Sequence, residues 1–420
     1  MSTTEEIGAT PATTGRGSAA EYEFGSTRTD AEQGLRVALN MKGARALLES
    51  WERVDHRGVP RSAEASANFH LAFLQEQPVA SKPHIALWEK DGIPDGILSG
   101  RDTLWRPPTS FANIPIPMPR LRLLEIVTDG LEANSRETAQ RQASYLRLLL
   151  NSRKFDCIAI HNLPLDGEIG RILKLGLRYP GDGRPEVAGH WFTELIDESG
   201  QPIVATSSKA RRKFRYMDRK LCNFFDNKVK LREFRTPAQV SEFIHAAARI
   251  GEKTYQYAMD IGVKDTPIWH KKLGLHAANG HLRAYLLIGN GMPLAYVVGT
   301  LWKGTFAGIA TGYLPKYRAV SPGSYLLRSV IERLQLEGVR WLDYGIEDYW
   351  YKERYGNVHR EGATLRFYAT TPAARAAIML DTTIRKTDHT LRRMLQASGL
   401  ATPLKRVYGH FRRAPAARGR

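Results

Sequence analysis

The sequence is poor in cysteine: among its 420 residues only Cys157 and Cys222 occur. They stand in unrelated contexts and form no CxxC pair, which excludes a disulfide framework and a cysteine-based metal site. The twelve histidines are scattered without an HExxH or other paired-ligand spacing, so we expect no bound metal. Both cysteines are interpreted as small buried core residues of a protein from a reducing compartment.

Long apolar runs are also missing. The sequence has no stretch of 18 uninterrupted apolar residues and no basic-then-apolar signal pattern near its start. It therefore predicts a cytoplasmic protein, and peripheral contact with the inner face of the membrane stays open. A composition of 42% hydrophobic and 25% charged residues excludes wholesale disorder and fibrous repeats. The length predicts two or three domains.

Acidic residues are too few to balance the basic ones, and the formal net charge is +18. This surplus favours an anionic partner: nucleic acid, an acidic membrane face or a phosphorylated small molecule. Residues 1–34 carry a net charge of −4 with almost no large aliphatic side chains, which predicts a disordered tail. Residues 385–420 carry +9 and predict a basic tail that polarises the molecule.

A basic helix is predicted over Ser207–Phe225, and residues 209–235 carry a net charge of +8. Either the helix has an ordinary solvated face, or it forms an anion site beside a cleft between domains. Its helical spacing places four apolar side chains on one face: Phe214, Met217, Leu221 and Phe224.

A weak internal repeat organises the chain. Residues 85–99 predict a hairpin that turns at Asp91-Gly92, and residues 285–299 predict another that turns at Asn290-Gly291, because both dipeptides accept positive φ. The shared order of hairpin, helix and strand favours a duplicated domain. The elements that follow the two hairpins are helix 136–152 with strand 155–160, and helix 323–337 with strand 339–344.

The second copy contains the clearest candidate for a phosphate site. A strand over 305–313 leads through a loop with Lys316 and Arg318 into Ser321-Pro322-Gly323-Ser324. Ser suits the N-cap, Pro the first helical position, and Gly323 leaves the backbone open to a ligand. The free N–H groups of such a helix would hold a diphosphate. Its predicted core face is Leu327, Val330, Ile331 and Leu334, with Gly338 as C-cap.

A dense group of aromatic and charged residues follows the next strand. Asp343 lies near the strand end, and the string from Ile346 to Tyr355 contains Tyr349, Tyr351 and Lys352. These residues would plug a cleft and pair in solvent, or they would share a pocket. In the second case a carboxylate accepts a proton from a nucleophile, while a phenol or an ammonium stabilises developing negative charge.

This order of parts resembles the GNAT acyltransferase superfamily. It is more closely similar to the CelD-like acetyltransferases of the cellulose-biosynthesis type, which are akin to the Fem-type peptidoglycan aminoacyl transferases. The resemblance runs from about Ser207 to Ala369, includes Ser208-Lys209-Ala210-Arg211-Arg212, and covers residues 36–200 more faintly. It implies a mixed α+β fold of two tandem GNAT-like domains, 35–200 and 201–370. Residues 371–420 are expected to form a C-terminal helix and basic tail. The amphipathic spacing from Ala373 to Leu395 predicts the helix, which would pack on the second domain in preference to docking on a membrane.

The resemblance also implies acyl transfer from acetyl-CoA or another acyl-CoA to an amine or hydroxyl of a polysaccharide, lipid-linked sugar or similar acceptor. The thioester would lie along the strand that ends at Tyr313, with the pyrophosphate on the loop from Arg318 to Ser324. Ser321 replaces the first glycine of the superfamily loop, and Gly323 keeps the second. We expect Arg211, Arg212 and Arg215 to bind the acceptor.

Residues 131–135 stand where the first copy should have this loop, and they contain an acid and no glycine. We therefore expect the first copy to shape the acceptor cleft rather than bind CoA. Two other functions remain open: a Fem-type transferase that uses aminoacyl-tRNA, and a non-catalytic adaptor for nucleic acid or a membrane surface. The basic tail would make weak contact with an anionic membrane, whereas no DNA partner is expected, because aromatic side chains for stacking are sparse in the tail.

Overall fold

The computed structural model describes residues 28–30, 34–54, 60–76, 81–112, 114–177, 182–203, 208–254, 262–346 and 350–397. The first half of the chain contains β1 (Arg28–Asp30), β2 (Leu35–Ala38), α1 (Met41–Ala46), α2 (Leu48–Glu52), a 3₁₀ turn (Ala63–Ala65), α3 (Ala67–Gln75), β3 (Lys82–Lys90), β4 (Ile93–Trp105), β5 (Thr109–Phe111), β6 (Ile114–Ile116), β7 (Leu121–Ala133), α4 (Arg136–Asn151), β8 (Cys157–Pro164), α5 (Glu168–Leu175) and β9 (Glu186–Glu194).

The second half repeats this order with its own insertions. It contains α6 (Ser208–Phe224), β10 (Val229–Phe234), α7 (Pro237–Gly251), α8 (Pro267–Ala278), β11 (Leu282–Gly289), β12 (Met292–Trp302), β13 (Thr305–Tyr313), a 3₁₀ segment (Pro315–Val320), α9 (Pro322–Leu336), β14 (Trp341–Ile346), α10 (Trp350–Tyr355), β15 (Val358–Tyr368) and α11 (Pro372–Ala397).

Both predicted hairpins form at the predicted dipeptides. Asp91 and Gly92 have φ of 53° and 75°, and Asn290 and Gly291 have φ of 49° and 77°. Two consecutive residues with positive φ give the turn whose twist matches that of the flanking strands. The duplicated order of hairpin, helix and strand is thereby confirmed.

Thirteen strands of the described residues join one mixed sheet in the order β1-β2-β3-β4-β7-β8-β15-β9-β14-β13-β12-β11-β10. The same arrangement of strands occurs in both halves of the sheet. In the first half β7 is parallel to β8, and in the second half β13 is parallel to β14. The predicted fold class, a mixed sheet of two GNAT-like halves flanked by helices, is confirmed.

The two halves exchange their last strands at the middle of the sheet. β15, from the end of the chain, lies between β8 and β9, while β9 of the first half lies between β15 and β14. Each half is therefore completed by a strand of the other. The division of the chain at residue 200 stays a prediction, and the sheet itself runs continuously across it.

Helices cover both faces of the sheet. α4 and α5 pack on one face of the first half, and α1 to α3 on the other. In the second half α6 and α9 share one core, whereas α7 and α8 share the opposite one. α3 and α8 meet across the halves, where the rings of Phe69 and His276 stack with centroids 4.0 Å apart.

Two predictions about packing are wrong. Phe224 of α6 is 57% exposed, and Phe225 is buried in its place. α11 forms as predicted but packs on the first half, where Ala377 joins Leu121 and Leu123 in one core. The reason is the strand exchange: β15 ends with Tyr368 opposite Cys157 of β8, so the chain leaves the sheet inside the first half.

The tails are only partly covered by the structure. Residues 28–30 of the predicted disordered tail form β1, which pairs with β2. Residues 1–27 and 398–420 lie outside the described residues. Within the described part of the chain, no helix is both long and apolar enough to cross a membrane.

Candidate functional site

The candidate site lies where β13 and β14 diverge. Their parallel ladder runs from Thr305 opposite Trp341 to Ala307 opposite Asp343, and both strands continue beyond it. Asp343 therefore stands at the last paired position, at the vertex of the opening. Gly308 is adjacent, and a Cβ there would lie 3.2 Å from the Asp343 carbonyl oxygen, so the vertex is narrow.

The Asp343 carboxylate is buried and held by two donors. Its Oδ1 accepts from the Gly345 backbone N–H at 2.6 Å and lies 2.5 Å from His190 Nε2. The other ring nitrogen of His190, Nδ1, lies 3.2 Å from the Asn162 side-chain nitrogen. Sequence analysis found Asp343 but missed His190 and Asn162, because strand exchange brings them to the site.

A second, half-buried carboxylate belongs to Asp129 on β7. Burial raises its pKa above the ordinary range, the negative charge of Asp343 adds to this, and Arg61 and His190 oppose it. Its Oδ2 accepts from the Ser62 N–H at 2.7 Å, and its Oδ1 lies 3.6 Å from Arg61 Nη1. Sequence analysis missed Arg61 and Asp129, since neither lies in a recognisable motif.

The predicted phosphate loop leads into α9. Ser321 adopts a left-handed conformation, with φ and ψ both 53°, in the place where the superfamily has glycine. Within the described residues its hydroxyl makes no bond to the first turn, so the prediction of a capping serine side chain is wrong. Pro322 starts the helix, as predicted, and by helix geometry the first-turn amides lack carbonyl partners within the helix.

Gly323 and Ser324 lie in that first turn, and Tyr313 and Arg318 lie on the chain that leads into it. A Cβ at Gly323 would lie 3.1 Å from the Tyr313 ring, so the tyrosine lies across the helix start. Arg318 is exposed in the 3₁₀ segment, and Ser324 is half-buried. Positive charge, open amides and a close aromatic ring suit an anionic ligand with an apolar extension.

Val330 and Leu334 of the predicted core face of α9 are buried, whereas Leu326 is fully buried in place of Leu327, and Leu327 and Ile331 are partly buried. Gly338 follows the helix with φ of 76°, as predicted for its C-terminal cap.

The equivalent helix start in the first half is already filled by the protein. The Asp95 carboxylate accepts hydrogen bonds of 2.5 Å from the hydroxyls of Ser135 and Thr138 at the start of α4. Ser135 also caps the helix by accepting from the Thr138 N–H at 3.2 Å. An internal carboxylate thus takes the position that a phosphate would need.

Lys352 lies in α10 and is buried, only 3% exposed. Its Nζ donates to the carbonyl oxygens of Gly345 at 2.9 Å and Ile346 at 2.6 Å. It therefore braces the end of β14, immediately after the site carboxylate. Tyr349 and the side chain of Tyr351 lie outside the described residues.

The basic helix α6 runs beside α9. Phe214 in its first half lies 6.4 Å from the Tyr355 ring of α10, and Phe224 at its end lies 5.9 Å from the Tyr317 ring of the loop. A cavity of about 380 Å³ lies between α6 and α9. The predicted acceptor residues Arg211, Arg212 and Arg215 are exposed on α6.

Comparison with known families agrees with this geometry. Residues 208–353 match the family model described as Acetyltransferase (GNAT) domain. This range contains α6, the loop before α9, and Asp343. No curated protein sequence matches the chain.

Three solved structures are similar to this chain at low sequence identity. FemX is 10% identical with a TM-score of 0.50, over 73% of this chain and 97% of its own. A tandem GNAT protein from the clavulanic acid biosynthesis pathway is 14% identical with a TM-score of 0.45, over 80% and 99%. The C-terminal domain of a protein from Agrobacterium fabrum, described as a lysylphosphatidylglycerol synthetase, is 10% identical with a TM-score of 0.46, over 81% and 97%.

Proposed function

We propose that the chain is an acyl-CoA-dependent N- or O-acyltransferase of the acetyltransferase type. Its acceptor is a polysaccharide, a sugar-linked molecule or a related cell-envelope component. The observation that carries the proposal is the position of Asp343, a buried carboxylate where β13 and β14 diverge. The connection between these two strands contains α9, whose first turn has backbone amides without partners in the helix. The CelD-like affiliation and the cytoplasmic location belong to the same proposal.

The donor site is the first turn of α9. Amides of the turn and the exposed Arg318 favour the pyrophosphate of acetyl-CoA or another acyl-CoA. The left-handed Ser321 supplies the backbone shape that glycine gives elsewhere. Because Asp95 occupies the corresponding helix start of the first half, one chain takes one donor, and the first half shapes the acceptor cleft.

The chemistry assigned to Asp343 is that of a general base. The acceptor amine or hydroxyl attacks the thioester carbonyl, the new N–C or O–C bond forms, and the C–S bond breaks to release the thiolate of CoA. The proton of the nucleophile passes to the Asp343 carboxylate. Lys352 keeps the strand end in place through two carbonyls, and Tyr349 and Tyr351 stay candidates for stabilising negative charge.

α6 is assigned to the acceptor through Arg211, Arg212 and Arg215. The exposed cations of this helix also favour a second function, a Fem-type transferase whose donor is aminoacyl-tRNA. A non-catalytic adaptor for nucleic acid or an anionic membrane would use the same helix and the basic tail. It would bind with steep salt dependence and show no turnover, and DNA is not the expected partner.

Calorimetry with acetyl-CoA and with aminoacyl-tRNA tests the proposal. We expect the parent to bind acetyl-CoA, and Gly323→Asp to bind it at least tenfold more weakly, about 1.4 kcal/mol. Gly323→Asn is the matched control, because it meets the Tyr313 ring in the same way without the charge. Arg318→Ala should have a smaller effect, since an exposed charge is screened by salt.

The outcomes separate the candidate functions. A folded Gly323→Asp protein that binds acetyl-CoA like Gly323→Asn would contradict the loop assignment. A parent that binds aminoacyl-tRNA and no acetyl-CoA would support the Fem-type function instead. Thermal unfolding of both variants checks the fold, and we expect them to match each other within about 1 kcal/mol.

A further inference from the structure

We infer that His190 and Asn162, both from the first half, position the Asp343 carboxylate of the second half. The inference rests on the proposed function, in which Asp343 is the base. His190 lies on the exchanged strand β9 and Asn162 on β8, so β15 separates them in the sheet. Side chains of the first half then hold Asp343 of the second half, so the exchange of strands builds the site from residues of both halves.

The path from Asn162 to His190 crosses β15 at Gly362. A Cβ on Gly362 would collide with Asn162 Oδ1, so only glycine leaves room for this amide above the strand. Asn162 itself has φ of 47°, a left-handed conformation that Asn tolerates better than most residues. A glycine at position 362 and a left-handed backbone at Asn162 are both uncommon inside strands. Both allow the contact between Asn162 and His190.

The hydrogen bonds assign the tautomer of His190. The Asn162 amide donates to Nδ1, which leaves the ring proton on Nε2, and Nε2–H donates to Asp343 Oδ1. Oδ1 also accepts from the Gly345 N–H. Two donors on one oxygen fix the orientation of the carboxylate, and Oδ2 takes the proton of the acceptor.

Other charged groups face this network and act on the same proton. Asp129 on β7 couples to both Asp343 and His190, and Arg61 opposes its charge. Arg360 on β15 is the register partner of His190. Lys352 on α10 approaches from the end of β14. Variants at His190 leave these four groups in place, so a change in pH dependence reports on the imidazole itself.

The kinetic test compares His190→Phe and His190→Gln with the parent in acetyl transfer. His190→Phe should lower kcat tenfold or more, leave KM for acetyl-CoA within twofold, and displace the acid limb of the kcat profile. His190→Gln keeps an N–H donor and should recover part of kcat. His359→Phe is the control, because His359 lies on the other face of β15, against Trp191. Parent-like kcat and acid limb in His190→Phe would overturn the inference.

A second measurement needs no activity. Ring ¹⁵N chemical shifts of His190 in the substrate-free parent should show a proton on Nε2 and none on Nδ1. Asn162→Asp tolerates the same backbone but accepts rather than donates, so Nδ1 should become protonated. If the parent fails to bind acetyl-CoA, the proposed function fails. The ¹⁵N shifts then test the positioning role of Asn162 and His190 independently of that function. An Nδ1 signal that Asn162→Asp leaves unchanged overturns the positioning role, and a proton on Nδ1 in Asn162→Asp supports it.

Discussion

Acidification from pH 7 to pH 5 is expected to lower the free energy of unfolding because of His276. This residue of α8 is 1% exposed and stacks on Phe69 of α3. Among the described residues neither of its ring nitrogens has a hydrogen-bond partner. Burial lowers its pKa to about 3, and the charges of Lys272 and His281 add to the effect.

The sign and size of the effect follow from proton binding in the two states. In the unfolded chain His276 takes up a proton as the pH falls through about 6.5, whereas in the folded protein it stays neutral down to about pH 3. Between these values the unfolded state binds one more proton, so the free energy of unfolding falls by about 1.4 kcal/mol per pH unit. From pH 7 to pH 5 the loss is about 2 kcal/mol.

Urea unfolding of the parent and of His276→Phe at pH 7, 6 and 5 measures this contribution. The phenyl ring keeps the stack on Phe69 without a titratable group, so any packing penalty is the same at each pH. The difference in unfolding free energy between parent and variant should therefore change by about 2 kcal/mol across the range. His389→Gln, at an exposed position of α11, serves as control. A parent-variant difference that is constant from pH 7 to pH 5 would refute the reasoning.

Two further predictions concern charge around the site. Charge reversal at Arg211 and Arg212 should weaken acceptor binding and leave acetyl-CoA affinity unchanged, both measured by calorimetry. Charge reversal at Lys174, an exposed residue of α5, serves as control. If both affinities stay at parent values, α6 has an ordinary solvated face. Lys352→Met should lower turnover by about 10² through misplacement of the site, because it removes the ammonium that holds the carbonyls at the end of β14. Parent-like turnover under saturating substrates would eliminate that role.

Much of the local structure could be predicted because its causes lie within a few residues. Asn290-Gly291 and Asp91-Gly92 accept the positive φ that a tight hairpin requires, and both turns form there. The apolar spacing of α9 and the glycine after it defined that helix to within two residues at either end. Asp343 was also identified from sequence, since it stands at a strand end before a dense polar segment.

Side-chain roles were less predictable where local preference and packing compete. Ser321 suited a cap by type, yet its backbone is left-handed and its hydroxyl serves no cap within the described residues. Phe224 and Phe225 are adjacent and equally apolar, so only the position of α6 against its neighbours decides which is buried. These outcomes depend on contacts with elements distant in the chain.

The sequence by itself determined the two hairpins, the helices α4, α6, α9 and α11, and the duplicated order of elements, because turn residues and apolar periodicity act over short range. Tertiary structure alone decided that β9 and β15 change places, since hydrogen-bonding edges of strands carry little information about which partner they take. That exchange brings His190 against Asp343, residues 153 positions apart, and no local pattern could link them. The candidate base was therefore visible in the sequence, while the side chains that hold it became visible only in the folded sheet.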